Sequence, residues 1–580
     1  MRRILIEGGI YFLLIFAPFA FGGVEMWAQG SIQIVCGVVF VAWAWGRGRR
    51  GSDPDDFRPM AAGRRSRAPI WIPIGGFVLL VLFQLIPMPG GLLSLISPTT
   101  SELYSQTVPG YARGEAFEVA DLPRWLLDST GSDLEGVDWP ASDGSAGAPL
   151  DEEFVATSGD SAGMPTDENA PLPSDEVVGA SSGEDAGSPP PPPSGLGSPG
   201  LEDLLQPPIS ALGKSTRLSP ARTLTVYPFQ TRTSLTILLC YIGLFAVVVD
   251  YFRSRRRLYR LLRVAVISGF AVSLLGILQR LAASENLLWI RGTQHTDFFG
   301  PFVNRNSYAA FAGTILPVAI CLCLSALRQW RGGREDAVPE IFFFGFASIV
   351  MAGGIFYCLS RGGMISAGVS VVVMVGLLLF FGRKGLELVI LVILVVVAAG
   401  FLAWIGLEPV AERVGTLSEG LSTPTFASRV AAWRQTLGLI GDYPVFGTGL
   451  GTFRFSFLHY APPGRSWWTT AHNEYIELIC DTGFVGGAIF LLGFIAYFSR
   501  VLRPGNIRGR MTPYAYTGIV AGMAALLLHS AVSSNLQVPA NGLLIVVLGA
   551  SLLALVERQE EPGRKRAGGT RRRRVTEEGA

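Results

Sequence analysis

Long apolar runs recur along this chain, and the short intervals between them alternate in charge. Those two features together constrain the fold more than any motif does. A bilayer core is crossed by roughly 20 apolar residues in a helix. Runs of that kind lie at about 6–24, 28–46, 69–87, 233–252, 260–282, 307–327, 340–359, 364–382, 386–406, 474–498, 514–534 and 539–557. The second is short enough to be re-entrant instead of spanning. Charged residues make up 16% of the 580-residue chain, well below the ~25% of a soluble domain. The expectation is an all-α polytopic membrane protein with about twelve transmembrane helices.

Charge placement fixes an orientation for all twelve. With the N-terminus inside, Arg2–Arg3, "RGRR" (47–50), "GRRSR" (63–67), "RSRRR" (253–257), "RQWRGGR" (328–334), "RK" (383–384), "RGR" (508–510) and "RRRR" (571–574) all fall on the cytoplasmic side. The alternate loops carry fewer basic residues, as the positive-inside rule requires. Both termini are then cytoplasmic. The first run lacks a small-residue cleavage site before a soluble chain, so it reads as a retained anchor and not a signal peptide. The six cysteines all lie in spans, which predicts no disulfide framework, and Cys321 and Cys323 have no zinc spacing.

The spans divide the chain into transmembrane helices at 1–87, a long outer loop at 88–232, central helices at 233–406, a second outer loop at 407–472, C-terminal helices at 473–557 and a basic tail at 558–580. Within the first loop, 125–213 has many acidic residues, Ser, Gly and Pro but no Lys or Arg. Such sequence cannot bury enough apolar surface to order itself, so a disordered acidic insert is expected. The second loop contains "TPTFASRVAAWRQTLGLIGDYP" (423–444), which reads as a helix with Thr425 or Ser428 as cap. Val430, Trp433, Leu437 and Ile440 would form its apolar stripe.

Chemistry-bearing residues concentrate on the outer side. "AHNEYIELICDTGFVGG" (471–487) opens the tenth span with His472 and Asn473, then places Glu474, Glu477 and Asp481 at steps of three and four. Charged groups in a spanning helix are costly and face partners or a cavity. An imidazole at a helix mouth suits a general base, and equally an interfacial side chain. The three carboxylates then share one stripe facing a neighbour or a polar cavity, and Gly483 with Gly487 would allow close helix approach. Arg361, in "CLSRGGM", lies at an outer membrane edge; either it reaches for headgroups or its forked guanidinium holds a phosphate. Arg429 lies on the loop helix, and Arg291, Arg305 and Asn306 precede the sixth span. Convergence of such arginines would suit a diphosphate. "FGTGLGTF" (446–453) is not a dinucleotide fingerprint; it is a tight loop or a set of backbone NH groups for phosphate. His295 and His459 lie in outer loops, His529 near the end of a span. No metal-binding spacing, nucleotide motif or nucleic-acid signature is present, so neither metal, cofactor nor nucleic acid is expected.

With these motifs in place, the chain resembles the O-antigen ligase family of bacterial inner-membrane glycan transferases, whose membrane domain is shared with O-antigen polymerases. His472-Asn473, nine residues, Gly483, two residues and Gly486 match the family signature H-[NSQ]-x9-G-x2-[GTY]. "SRVAAW…DYPVFGTGLGTF" (428–453), "LSRGG" (359–363), "PFVNRNSYAAF" (301–311) and "HSAVSSNLQVPAN" (529–541) resemble further family segments, so the likeness covers about 290–545. It implies a metal-independent glycosyltransferase of GT-C type in the bacterial inner membrane, working on the periplasmic face. The donor would be an undecaprenyl-diphosphate glycan. The acceptor would be a lipid A-core sugar (ligase), another lipid-linked glycan (polymerase) or a protein hydroxyl (oligosaccharyltransferase). By position, Arg361 and Arg429 would hold the diphosphate and His472 would activate the acceptor, with Arg305, Asn306, Asn473, Glu477 and Asp481 in support. Glu477 and Asp481 would pair with arginines to orient them. A transporter is the competing class, because twelve spans suit one, and an assembly scaffold using the acidic insert is a third. Polar residues gathered at one membrane face and the lack of paired halves favour the transferase.

Overall fold

The computed structural model describes residues 2–48, 64–107, 221–284, 286–292, 297–383, 424–461, 469–502 and 512–557, with scattered positions from 385 to 400. The expected acidic insert, most of the ninth run and the basic tail lie outside the described residues, as does His295. What is described is an all-α polytopic membrane protein.

The helices follow in order as α1 (Arg2–Phe19), α2 (Met26–Gly48), α3 (Arg64–Gln84), α4 (Gly90–Ile96), α5 (Pro98–Thr107), α6 (Pro228–Tyr251), α7 (Arg255–Leu281), α8 (Arg305–Trp330), α9 (Val338–Tyr357) and α10 (Arg361–Phe380). After the second outer loop begins come α11 (Pro424–Asp442), α12 (Glu474–Val501), α13 (Thr512–His529) and α14 (Pro539–Glu557). Among the described residues, eight helices are long and apolar enough to cross a membrane. They are α2, α6 to α10, α12 and α14. The second run is a helix of 23 residues, long and apolar enough to cross a membrane. Three further helices, α1, α3 and α13, occupy expected spans but are less apolar. α1 carries Arg2, Arg3 and Glu7, the apolar part of α3 is Ile70–Gln84, and α13 is rich in Gly, Thr and Tyr.

α8 is the axis of the bundle. Its residues from Ser307 to Ala326 are all buried, and α7, α9, α10 and α13 pack on it. Small residues make this possible. Gly518 and Gly522 lie one turn apart on α13, and a Cβ at Gly518 would stand 2.9 Å from the Val318 Cα of α8. Backbone-to-backbone approach of that kind supplies dispersion contact where lipid removes any hydrophobic drive between helices.

The two ends of the bundle differ in composition. At one end arginines bridge helices through carboxylates: Arg260 to Glu7 at 3.1 Å, Arg253 to Glu557 at 3.4 Å, Arg263 to Glu340 at 2.6 Å and Arg328 to Glu387 at 3.4 Å. The opposite end holds the long connections. There Pro87–Met88 (β1) pairs antiparallel with Arg222–Thr223 (β2), and the Tyr104 hydroxyl donates to the Thr225 carbonyl at 2.9 Å. These contacts clasp the two stems of the first long loop.

Candidate functional site

The site is built where α11, the start of α12 and the turn at 529–538 meet, at the end of the bundle opposite the bridging ion pairs. α11 begins at Pro424, a residue whose fixed φ suits a first turn. Thr425 and Ser428 therefore lie inside the helix and do not cap it. Its buried face is also not the expected one. Ala432, Thr436, Leu439 and Tyr443 are buried, while Leu437 is 63% exposed. The stripe is displaced by one residue because Thr436 faces inward despite its hydroxyl, which donates to the Ala432 carbonyl at 2.8 Å. Continued backwards by one turn, this stripe reaches Arg429, which is thereby aimed at the protein and not at solvent. Phe453, Phe457, Ala471 and Cys480 complete a small core against α11.

His472 is pinned from both sides. The Ala471 carbonyl accepts from Trp433 Nε1 at 2.7 Å, and the Ala471 amide donates to Glu477 Oε2 at 3.0 Å. Asn473 is the N-cap of α12; its Oδ1 accepts from the amides of Tyr475 at 3.0 Å and Ile476 at 3.1 Å. Such a cap stabilises a helix by about 1 kcal/mol. The Glu474 amide donates to the Ser530 carbonyl at 3.0 Å. Between these anchors His472 takes φ +46°, a left-handed conformation that costs a residue with a Cβ about 1–2 kcal/mol. The neighbours over-determine it, which is how such strain persists at sites.

Burial, and then the nearby Arg429 charge, lower the His472 pKa from 6.5 to about 4. The ring is neutral at physiological pH, the form that accepts a proton. Arg429 donates from Nη1 to the Val532 carbonyl at 3.0 Å. Its charge acts on His472 and also on His529. His529 in turn packs on the start of α10: a Cβ on Gly362 would stand 2.9 Å from His529 Nε2. Ser360, the N-cap of α10, donates to Asn306 Oδ1 at 2.7 Å and accepts from the Gly363 amide at 3.2 Å. Asn541 Nδ2 donates to the Ser307 carbonyl at 3.1 Å. The 529–541 segment thus joins the Arg429–His472 group to the helix starts that carry Arg361 and Asn306.

Two expectations are corrected. Glu477 and Asp481 do not pair with arginines among the described residues. Glu477 accepts from the Ala471 amide, from Ser534 Oγ at 3.4 Å and from Gln537 Nε2. Asp481 accepts from the amides of Gly451 at 2.6 Å and Phe453 at 3.0 Å. Their role is to hold backbone in place, since a buried amide left unpaired is costly. Arg305 and Arg291 are also engaged with carboxylates, Arg305 with Asp297 at 2.9 Å and Arg291 with Glu25 at 2.6 Å.

The glycine-rich turn is structural for the same reason. α12 is broken at Gly483 (φ +63°, ψ −174°), and residues 444–453 splint the break. Thr448 and Gly449 donate to the carbonyls of Cys480 and Asp481, both at 2.9 Å, and Phe484 donates to the Pro444 carbonyl at 2.8 Å. The Leu450 amide reaches Gln84 Oε1 at 3.2 Å. Amides so committed are not offered to a phosphate. A Cβ on Gly483 would collide with the Val445 backbone, and one on Gly486 would stand 3.1 Å from Leu80 of α3. Gly487 meets only Ile479 of its own helix, at an ordinary 3.5 Å, so Gly486 and not Gly487 provides close approach. Gln84 and His529 were missed as site-forming residues. Their sequence signal is a lone polar side chain at the end of an apolar run.

No curated protein matches the chain. Residues 346–491 match the family model described as O-antigen ligase, and that segment holds Arg361, Arg429, His472 and the break in α12.

Proposed function

We propose that the protein transfers a glycan from an undecaprenyl-diphosphate carrier to an acceptor hydroxyl at the periplasmic face of the inner membrane, as an O-antigen ligase does. His472 takes the proton of the acceptor hydroxyl as its oxygen bonds to the anomeric carbon. The bond from that carbon to the diphosphate oxygen breaks, and its electron pair leaves with the diphosphate. Arg361 and Arg429 stabilise the charge that grows there, which two guanidinium groups can do without a metal. Both termini are cytoplasmic in this reading, and the arginine-rich end of the bundle faces inward.

The observation that carries the proposal is a histidine in a left-handed conformation, held by Trp433, Glu477 and the Asn473 cap at a helix mouth within the segment that matches the family model. A positioned general base typically contributes 10²–10⁴-fold. The test supplies undecaprenyl-diphosphate glycan and candidate acceptors to the purified protein in detergent. Transfer should occur with wild type and collapse in both His472→Ala and Arg361→Ala. Undiminished transfer by both variants would remove the assignment. The product distinguishes the alternatives: glycan on lipid A-core means ligase, a lengthened lipid-linked glycan means polymerase, and a glycosylated protein means oligosaccharyltransferase.

A further inference from the structure

A cavity lies far from this site. It occupies about 660 Å³ among the start of α7, the end of α8 and the start of α9. α8 has 26 residues, so its two ends are about 39 Å apart at 1.5 Å per residue. The cavity wall carries Arg255, Arg256, Arg260, Arg263 and Arg334 against one carboxylate, Glu340. That carboxylate is taken by Arg263 at 2.6 Å, while Arg260 is paired with Glu7 and Arg334 with Asp336 at 2.6 Å. Among the described residues Arg255 and Arg256 have no carboxylate partner. Arg255 Nη2 is buried without a hydrogen-bond partner, and its guanidinium carbon lies 5.7 Å from the Tyr259 ring centre.

Two physical costs meet here. A buried guanidinium donor without an acceptor is destabilising. Positive charge in the first turn of a helix also opposes the macrodipole, which favours anions there, and the first turn of α7 has no acidic residue. Orientation signals explain basic residues near this end, but they do not require them to converge on a hollow. An anion bound in the cavity relieves both costs at once.

We propose that this cavity binds a phosphate group, with Arg255 and Arg256 as its principal ligands and Tyr259 as a side wall. Two sources share that chemistry: the headgroup of an anionic membrane lipid, and a soluble phosphate compound. Basic pockets between helices at the membrane boundary suit the former. The proposal does not depend on the transfer reaction or on His472.

The experiment uses the full-length protein in nanodiscs. One arm compares phosphatidylglycerol–phosphatidylcholine discs with pure phosphatidylcholine discs and counts lipid retained after transfer to native mass spectrometry. The second titrates inorganic phosphate and pyrophosphate into protein in pure phosphatidylcholine and follows thermal unfolding. Arg255→Gln/Arg256→Gln should weaken retention or the thermal shift by about tenfold or more, the loss of charge-assisted hydrogen bonds. Arg331→Gln, which removes the same charge from outside the cavity wall, should change neither. Retention of phosphatidylglycerol alone assigns the lipid source, and a response to phosphate alone assigns the soluble one. No response in either arm, or equal loss in the cavity and control variants, overturns the proposal. If the double variant does not elute as a monodisperse species, Arg256→Gln alone, at an exposed position, carries the same comparison.

Discussion

Carboxylates do different work at the two ends of the helix bundle. At the arginine-rich end Glu7, Glu340, Glu387 and Glu557 meet guanidinium groups and bind helix to helix. At the other end Glu474, Glu477 and Asp481 meet backbone amides: Glu474 Oε1 accepts from the Leu536 amide at 2.6 Å, and its two neighbours hold residues 451, 453 and 471. A partly exposed ion pair contributes little, about 0–1 kcal/mol. A carboxylate that satisfies buried amides contributes more, and its removal leaves those amides unpaired. The same residue type is thus a clasp at one end and part of the scaffold of the site at the other.

The strongest way to break this contrast is at the residue the scaffold holds. His472→Asn keeps a side chain that tolerates the left-handed conformation but has no base. Transfer should fall 10²–10⁴-fold with the melting temperature nearly unchanged; a comparable loss of melting temperature would make His472 structural. Gly483→Ala should come next, lowering stability by about 3 kcal/mol or more because the new methyl meets backbone that cannot yield, seen as an earlier unfolding transition in detergent. Asp481→Asn retains one acceptor oxygen and loses the other, so a cost of about 1–3 kcal/mol is expected, accompanied by reduced transfer as the splint loosens. Glu340→Gln at the opposite end should cost at most about 1 kcal/mol and leave transfer intact. An effect there as large as that of Asp481→Asn would erase the distinction between the ends.

The smallest expected effect is one of pH. Burial and Arg429 hold the His472 pKa near 4 rather than 6.5. Its neutral form therefore persists well below the usual range, and the transfer rate should stay flat from pH 8 to 6, falling only as pH approaches 4. A rate that halves near 6.5 would mean an ordinary, solvated imidazole. The linked stability has the same sign. The unfolded chain takes up this proton first, so the contribution present above pH 6.5 is lost as pH falls towards 4.

Much of this was legible in the sequence, for identifiable reasons. Apolar length and charge alternation are local properties, and they revealed the helices and the polar mouth of α12. His472 and Asn473 stood out because a hydrocarbon-length helix rarely opens with them. The buried face of α11 was misplaced by one residue because Thr436 and Arg429 read as polar, whereas the structure turns both towards protein. The partners of Glu477 and Asp481 were misread because an amide of residue 451 or 471 leaves no mark in a side-chain pattern. Only the tertiary path brings Gly451 and Phe453 to Asp481. Gln84 is likewise intelligible only once the turn at 446–450 lies against it, where its Nε2 donates to the Phe446 and Asp481 carbonyls at 2.7 and 2.9 Å.

The break at Gly483 has a mechanical consequence. A continuous rod from Glu474 to Val501 would transmit every tilt imposed by bilayer thickness straight to its tip. Divided and splinted as it is, the helix is anchored at its kink, because residues 444–449 grip Cys480 and Asp481 on one side of Gly483 and Phe484 and Val485 on the other. A tilt imposed on the helix by bilayer thickness therefore meets a fixed point roughly two turns below the imidazole.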